Sequence, residues 1–192
     1  TDEVLAGWTD LLNDYKNSDG IKHPAAVYAI SRFYLAHKAN KPVELLTTYD
    51  NNMFTLCEHI KQVMAESEGK AVGSTIPFIG HYSDDLHSVG QLTQEGTNIV
   101  FETPLIAMNH PNHLIIPKSS FKDDDGLDYV AGKKFNEISN IIYQSVVKAH
   151  SEVNLPSITI SFDTMSAYCY GQLLAFFALS AAIVSLLFDV NP

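Results

Sequence analysis

Apolar positions recur along the chain at helical spacing, then at strand spacing, and the two patterns alternate to the end. Val4, Leu5, Trp8, Leu11 and Leu12 fall three and four apart and predict a helix over 1–16. The turn-forming run Asn17-Ser18-Asp19-Gly20 follows. A second helix is expected over about 24–37, with Val27, Ile30, Phe33 and Tyr34 as its apolar face. Residues 42–49 (PVELLTTY) read as a strand bounded by Asp50-Asn51-Asn52. The clearest helix comes next: Met53, Leu56, Cys57, Ile60, Val63 and Met64 form one stripe, and Gly69 is its expected stop.

A loop containing STIPFIG (74–80) leads to SDDLHSVGQL (83–92), where a serine and two aspartates announce a short helix. NIVFETPLIAM (98–108) reads as a strand, and 109–126 as a polar loop. Phe135, Ile138, Ile142, Val146 and Ala149 predict a helix over 133–151, and PSITISF (156–162) a further strand. Asp163 is then the expected cap of a long apolar helix that runs to Phe188. The order α-α-β-α-α-β-α-β-α implies parallel pairing and an α/β fold, a three-layer parallel sheet flanked by helices. No repeat or linker divides residues 1–192, so one domain is expected. The chain starts inside a helix and stops at DVNP with nothing left to cover the apolar helix, so it reads as a piece of something longer.

Composition narrows the classes. The 192 residues are 46% hydrophobic and 18% charged, which suits a packed core and not disorder. The net charge is −10, and Arg32 is the only arginine. With no basic stripe to meet phosphates, nucleic acid is not expected as a partner. Cys57 and Cys169 form no CxxC pair, and no signal peptide is visible, so a cytoplasmic location is expected. The uncharged run between Asp163 and Asp189 is long enough for a bilayer. Its flanks are acidic and no Lys or Arg follows Lys148, so a core or interface helix is expected and no membrane partner.

Several familiar signatures fail. There is no GxSxG, HExxH or GxGxxG. In GLDYVAGKK (126–134), five residues separate the glycines where a P-loop needs four, and Lys134 replaces the magnesium-binding Ser or Thr. FKDDDG (121–126) would put Phe121 first and Gly132 twelfth in a calcium loop, and neither ligates there. His110 and His113 lack a third ligand at metal spacing. No metal or organic cofactor is expected.

The segment from Gln62 to His87 stands apart. On the predicted helix Gln62 and Glu66 are four apart and share a face off the apolar stripe, with His59 on the same side. Such a face is ordinarily a solvated surface. Glu66, however, falls in the last turn. The negative end of the helix dipole disfavours an anion there, which suits a carboxyl that must take up and return a proton.

ESEGK (66–70), DLHSVGQ (85–91), QEG (94–96) and FET (101–103) together resemble the ordered signatures of the bacterial type of glucose-6-phosphate isomerase. The resemblance continues through DGLDYVAGK (125–133), LPSITI (155–160) and the final VNP. It implies the second of two sugar-isomerase (SIS) domains, each with a five-stranded parallel sheet, here cut at both ends. It implies that Glu66 is the base moving a proton between C1 and C2 of the open-chain sugar through a cis-enediol. By the same resemblance His87 assists ring opening in the neighbouring subunit's site, and Gln62 contacts substrate. The implied partners are a sugar phosphate, the missing N-terminal SIS domain and C-terminal segment, and a second copy in a homodimer.

The family's phosphate loop, its Gly-Gly-Arg segment and its ring-opening lysine have no match here; Arg32 sits mid-helix and does not fit the arginine motif. Thr97 and Asn98 stand where basic residues often follow QEG, and ALSAAIV replaces the charged pair common in the last helix. The expectation is therefore an isomerase region of glycolysis and gluconeogenesis that is inactive alone. The alternatives are a non-catalytic sugar-phosphate-binding SIS module and a membrane-anchored interaction protein using residues 164–188.

Overall fold

The computed structural model describes residues 1–110, 114–120 and 126–192. The α-helices among these residues are α1 (Asp2–Asn17), α2 (Pro24–His37), α3 (Phe54–Ser67), α4 (Val89–Glu95), α5 (Phe135–Glu152) and α6 (Ala167–Leu187). The strands are β1 (Val43–Thr48), β2 (Ile76–His81), β3 (Val100–Asn109) and β4 (Ile160–Thr164). All pairings are parallel, in the order β2-β1-β3-β4, and Val43 pairs with both Ile76 and Val100. The three-layer α/β arrangement is the one expected, but four strands stand among the described residues where the resemblance implied five.

Two features explain the strand differences. STIPFIG is not a loop but contains β2, an edge strand, where Pro77 removes no hydrogen bond from a second neighbour. Pro104 lies inside the central strand β3. Glu102 faces β4's side, donating its N–H to Pro156 O and accepting from Ile158 N. Two residues on, Pro104 has the same facing and no N–H to give, so the ladder lapses and resumes as Leu105 meets Ile160. Among the described residues of the stretch after β3 there is an isolated antiparallel bridge, Ile115 to Lys134, and no further strand.

One face of the sheet carries α2, α3 and α6, with α1 laid over α6. Leu46 and Leu105 of the sheet pack there with the α3 stripe, where Met53, Leu56, Cys57, Ile60 and Met64 are buried and Val63 is half-buried. The other face carries α4 and α5, over Leu45, Tyr82, Val100 and Leu155. The apolar helix α6 is not left uncovered: Leu173, Ala175, Phe176, Phe177, Ala181 and Val184 are buried, and α1, α2 and α3 pack on it. A serine caps it in place of Asp163, since Ser166 Oγ accepts from Cys169 N at 3.1 Å and Asp163 belongs to β4. The crossing of α1 and α6 is glycine-made: a Cβ on Gly171 would lie 1.9 Å from Val4 O, and one on Gly7 2.0 Å from Tyr168 O.

The α2 face is rotated from the expected one. Val27, Ile30 and Tyr34 are exposed, whereas Ala25, Tyr28, Ala29, Arg32 and Ala36 are buried. The small alanines permit close approach to α6, and Ser180 Oγ donates to Ala25 O at 3.0 Å. The buried arginine is tolerated because two carboxylates meet it.

Candidate functional site

Each crossover helix in a parallel sheet runs back antiparallel to the strands. The C-terminal ends of α2, α3 and α6 therefore gather at the edge where β1 and β2 begin. Glu66 stands in the last turn of α3 at this edge and is exposed. Gln62 Nε2 donates to Glu66 Oε1 at 3.1 Å, so the expected pairing on one helix face is present. His59, also exposed, lies two turns back on the same helix.

The turn beneath Glu66 is unusually well held. α3 stops at Ser67, not through a left-handed Gly69 but by tightening into a 3-10 turn, Glu68–Lys70. Glu68 folds inward and is fully buried, and Arg32 Nη1 and Nη2 donate to its two oxygens at 2.8 and 2.7 Å. Arg32 Nε donates to Glu44 Oε2 at 2.6 Å. The other oxygen of Glu44 accepts from Tyr28 OH at 2.5 Å and Thr103 Oγ1 at 2.6 Å. Burial pushes the Glu68 carboxyl above its usual range, against the pull of Arg32. Burial opposes the Arg32 charge, but Glu44, Tyr28 and Glu68 outweigh it and hold the guanidinium ionised. Burial and the Glu44 charge also push the Tyr28 hydroxyl well up. At the end of the motif, Lys70 Nζ donates to Asn191 O at 2.9 Å, tying the turn to the VNP segment.

His87 is elsewhere. It sits in a 3-10 turn, Asp85–His87, after the far end of β2, where Asp85 Oδ2 accepts from His81 N at 2.8 Å. Its ring is exposed and makes no hydrogen bond among the described residues. The five residue steps of β2 separate the two edges by about 17 Å at 3.3 Å per residue. The structure thus brings Gln62 to Glu66 and leaves His87 at the opposite edge of the sheet.

Open α/β sheets commonly bind ligands where strand order reverses, at the strands' C-terminal ends. Here that point lies between β1 and β3. Among the described residues it holds a small hollow of about 20 Å³ lined by Tyr49, Asp50, His110 and Asn140, with His110 Nδ1 3.6 Å from Asp50 Oδ2. Glu66 belongs to the other edge. The larger hollow, about 420 Å³, lies beside β4 against Leu11, Tyr28 and Phe176 and touches none of Gln62, Glu66 and His87. Among the described residues no three His, Cys, Asp or Glu side chains gather as a metal site. His113 and the acidic run at 121–125 lie outside the described residues.

Sequence reasoning missed Glu68 and Arg32 as part of this region. The available signal was a lone arginine on a helix otherwise rich in alanine, together with an acidic residue at the variable position of ESxGK.

No protein family model matches the chain. Over 192 residues it is 37% identical to the glucose-6-phosphate isomerase of Pediococcus pentosaceus, covering all of this chain and 42% of that protein. The chain spans a little under half the length of the curated relatives it matches. Among solved structures, a hypothetical protein from Thermus thermophilus superposes with a TM-score of 0.88 at 20% identity, over 99% of this chain and 46% of that one. A glucose-6-phosphate isomerase from Chlamydia trachomatis superposes with a TM-score of 0.79 at 16% identity, over 98% of this chain and 38% of that one.

Proposed function

The chain is related along its whole length to one part of the glucose-6-phosphate isomerases, and we propose that it supplies the proton-transfer base of such an enzyme. The reaction is the interconversion of glucose 6-phosphate and fructose 6-phosphate. The single observation that carries the reading is the Gln62–Glu66 pair, exposed at one sheet edge on a turn held from below.

A proton on carbon next to a carbonyl is weakly acidic, so its removal needs a positioned carboxylate and stabilisation of the enediolate that forms. Glu66 takes the proton from one carbon of the open-chain sugar and returns it to the other. A cis-enediolate presents C1 and C2 to the same carboxylate, so one base serves both. Gln62 fixes the carboxylate's orientation through its amide N–H and contacts the sugar. His87 shuttles the ring-opening proton. By the family resemblance it serves the site of a second copy in a homodimer, and its place across the length of β2 from Glu66 supports that reading.

Glu66 is open to solvent in this chain, and a base of this kind works best where water is excluded. The chain's charge of −10 also repels a sugar phosphate. Phosphate binding and enediolate stabilisation therefore come from elsewhere in the enzyme, and the chain alone turns over little or no substrate. The reading places it in the cytoplasm, in glycolysis and gluconeogenesis.

The test is isomerase activity from fructose 6-phosphate. It is measured for this chain, for an intact isomerase polypeptide containing it, and for that polypeptide with Glu66→Gln. Activity in the intact protein alone, reduced at least a thousandfold by the substitution, is expected. Full activity in the Glu66→Gln protein would refute the assignment of the base. Tight sugar-phosphate binding with no turnover in the intact protein would make this a binding module.

A further inference from the structure

The buried Arg32–Glu68 pair meets the chain two residues past the proposed base and has no part in the chemistry described above. We propose that Arg32, by gripping both oxygens of Glu68, positions Glu66 for proton transfer; the inference rests on the reading of Glu66 as the base.

The geometry has three parts. The first is the link between the residues. Glu68 is two positions from Glu66, across the junction where the α-helix tightens into the 3-10 turn Glu68–Lys70. No side-chain cap hydrogen bond closes the 3-10 turn at Ser67, where it leaves α3. Without a tether it would fray, as helix ends do.

The second part is the anchor. A guanidinium meeting a carboxylate with two parallel N–H donors fixes direction as well as distance. The same guanidinium donates to Glu44 on β1, and Glu44 accepts from Tyr28 and Thr103. The turn bearing Glu66 is thereby tied to α2, to two strands of the sheet and to the buried core. Both Arg32 and Glu68 have no exposed side-chain surface, so water does not compete for these bonds.

The third part is the direction of the side chains. Glu68 points into the protein while Glu66 points out of it, so any rotation of the turn that releases Glu68 swings Glu66 as well. Displacement of a reacting group by an ångström can cost a hundredfold in rate.

A merely structural role would lower stability without separating kcat from KM. The test uses Glu68→Gln and Arg32→Lys in an intact isomerase polypeptide containing this chain. Glu68→Gln keeps the shape but turns an N–H₂ toward one arm of Arg32, so the fork cannot close. Glu44 remains against the guanidinium, so removing the Glu68 charge does not leave Arg32 unpaired. Arg32→Lys keeps the charge facing Glu44 and Glu68 but offers no planar fork.

For both variants we expect kcat to fall at least tenfold with KM within about twofold. Amide exchange over 65–71 should rise at least tenfold, with β1 and β3 unchanged and melting within a few degrees of the parent. Either a folded Glu68→Gln protein with undiminished kcat or exchange over 65–71 equal to the parent's would overturn the proposal. Glu66→Gln, assayed alongside, separates the two ideas. A dead Glu66→Gln protein beside a fully active Glu68→Gln one removes the positioning role and leaves the base intact. An active Glu66→Gln protein removes the base, and with it the catalytic consequence of the clamp.

Discussion

Substituting Gly171→Ala should destabilise the chain although it places a better helix former inside a helix. The added Cβ would meet Val4 O at 1.9 Å, Val4 C at 2.8 Å and Trp8 N at 3.0 Å. These are backbone atoms of α1, so no side-chain rotation relieves them. An ordinary carbon–oxygen contact needs about 3.4 Å, close to the 3.5–4.0 Å optimum for carbon pairs, so α1 must retreat by roughly 1.5 Å. The reciprocal contact, Gly7 against Tyr168 O, and the packing of Leu11 on the core loosen with it. Overpacking of this kind costs about 1–3 kcal/mol. The higher helix propensity of alanine returns up to about 1 kcal/mol. Because the atoms met are backbone, the upper part of that cost applies, about 2–3 kcal/mol, and the net loss of roughly 1–2 kcal/mol corresponds to a fall in Tm of about 2–8 °C for a domain of this size.

The assay is urea unfolding followed by far-ultraviolet circular dichroism and by fluorescence. Trp8 is the only tryptophan, and it sits half-buried on α1 at the crossing, so its emission reports the retreat directly. A red-shifted native spectrum with a lower midpoint is expected. An unchanged Trp8 spectrum with a midpoint equal to or above the parent's would refute the account of a glycine-made crossing.

Two further outcomes follow from buried ionisable groups. The Glu68 carboxyl, raised by burial and faced by Arg32, Glu44 and Tyr28, binds its proton more tightly folded than unfolded. Its contribution to stability is therefore present below the ordinary glutamate range and lost as pH rises through the folded value, and denaturant midpoints for Glu68→Gln should decline less between pH 4 and 7 (about the interval above the usual glutamate value) than the parent's. The Cys57 thiol is buried and pushed up to about 12, so it should resist a thiol reagent at neutral pH in the folded chain and react fully in denaturant; rapid native labelling would contradict the packing of α3.

Much of the local architecture was legible in the residue pattern. The α3 stripe is buried almost as read, because six apolar residues at helical spacing leave one face to bury. The Gln62–Glu66 pairing was legible for the same reason, since residues four apart on a helix are neighbours whatever surrounds them. The likeness to one part of the glucose-6-phosphate isomerases was legible too, as an ordered set of short motifs. β2 was missed because Pro77 and Gly80 are breakers in an isolated stretch, yet an edge strand tolerates them. α2 was turned the wrong way because Val27, Ile30 and Tyr34 outrank alanines and an arginine in hydrophobicity.

What decided those last cases lies in other parts of the chain. Alanine wins the buried face of α2 because α6 passes close by, and Arg32 is buried because Glu44, twelve residues away, and Glu68, thirty-six away, both converge on it. The same holds for the site. The sequence determined by itself which residues share a helix face and which motifs follow one another. Only the tertiary structure decided that Glu68 turns inward beneath Glu66 and that the length of β2 stands between Glu66 and His87. Local spacing constrains neighbours within a turn or two, whereas burial of a charge and the edge on which a side chain stands depend on partners that the chain brings together only when the sheet forms.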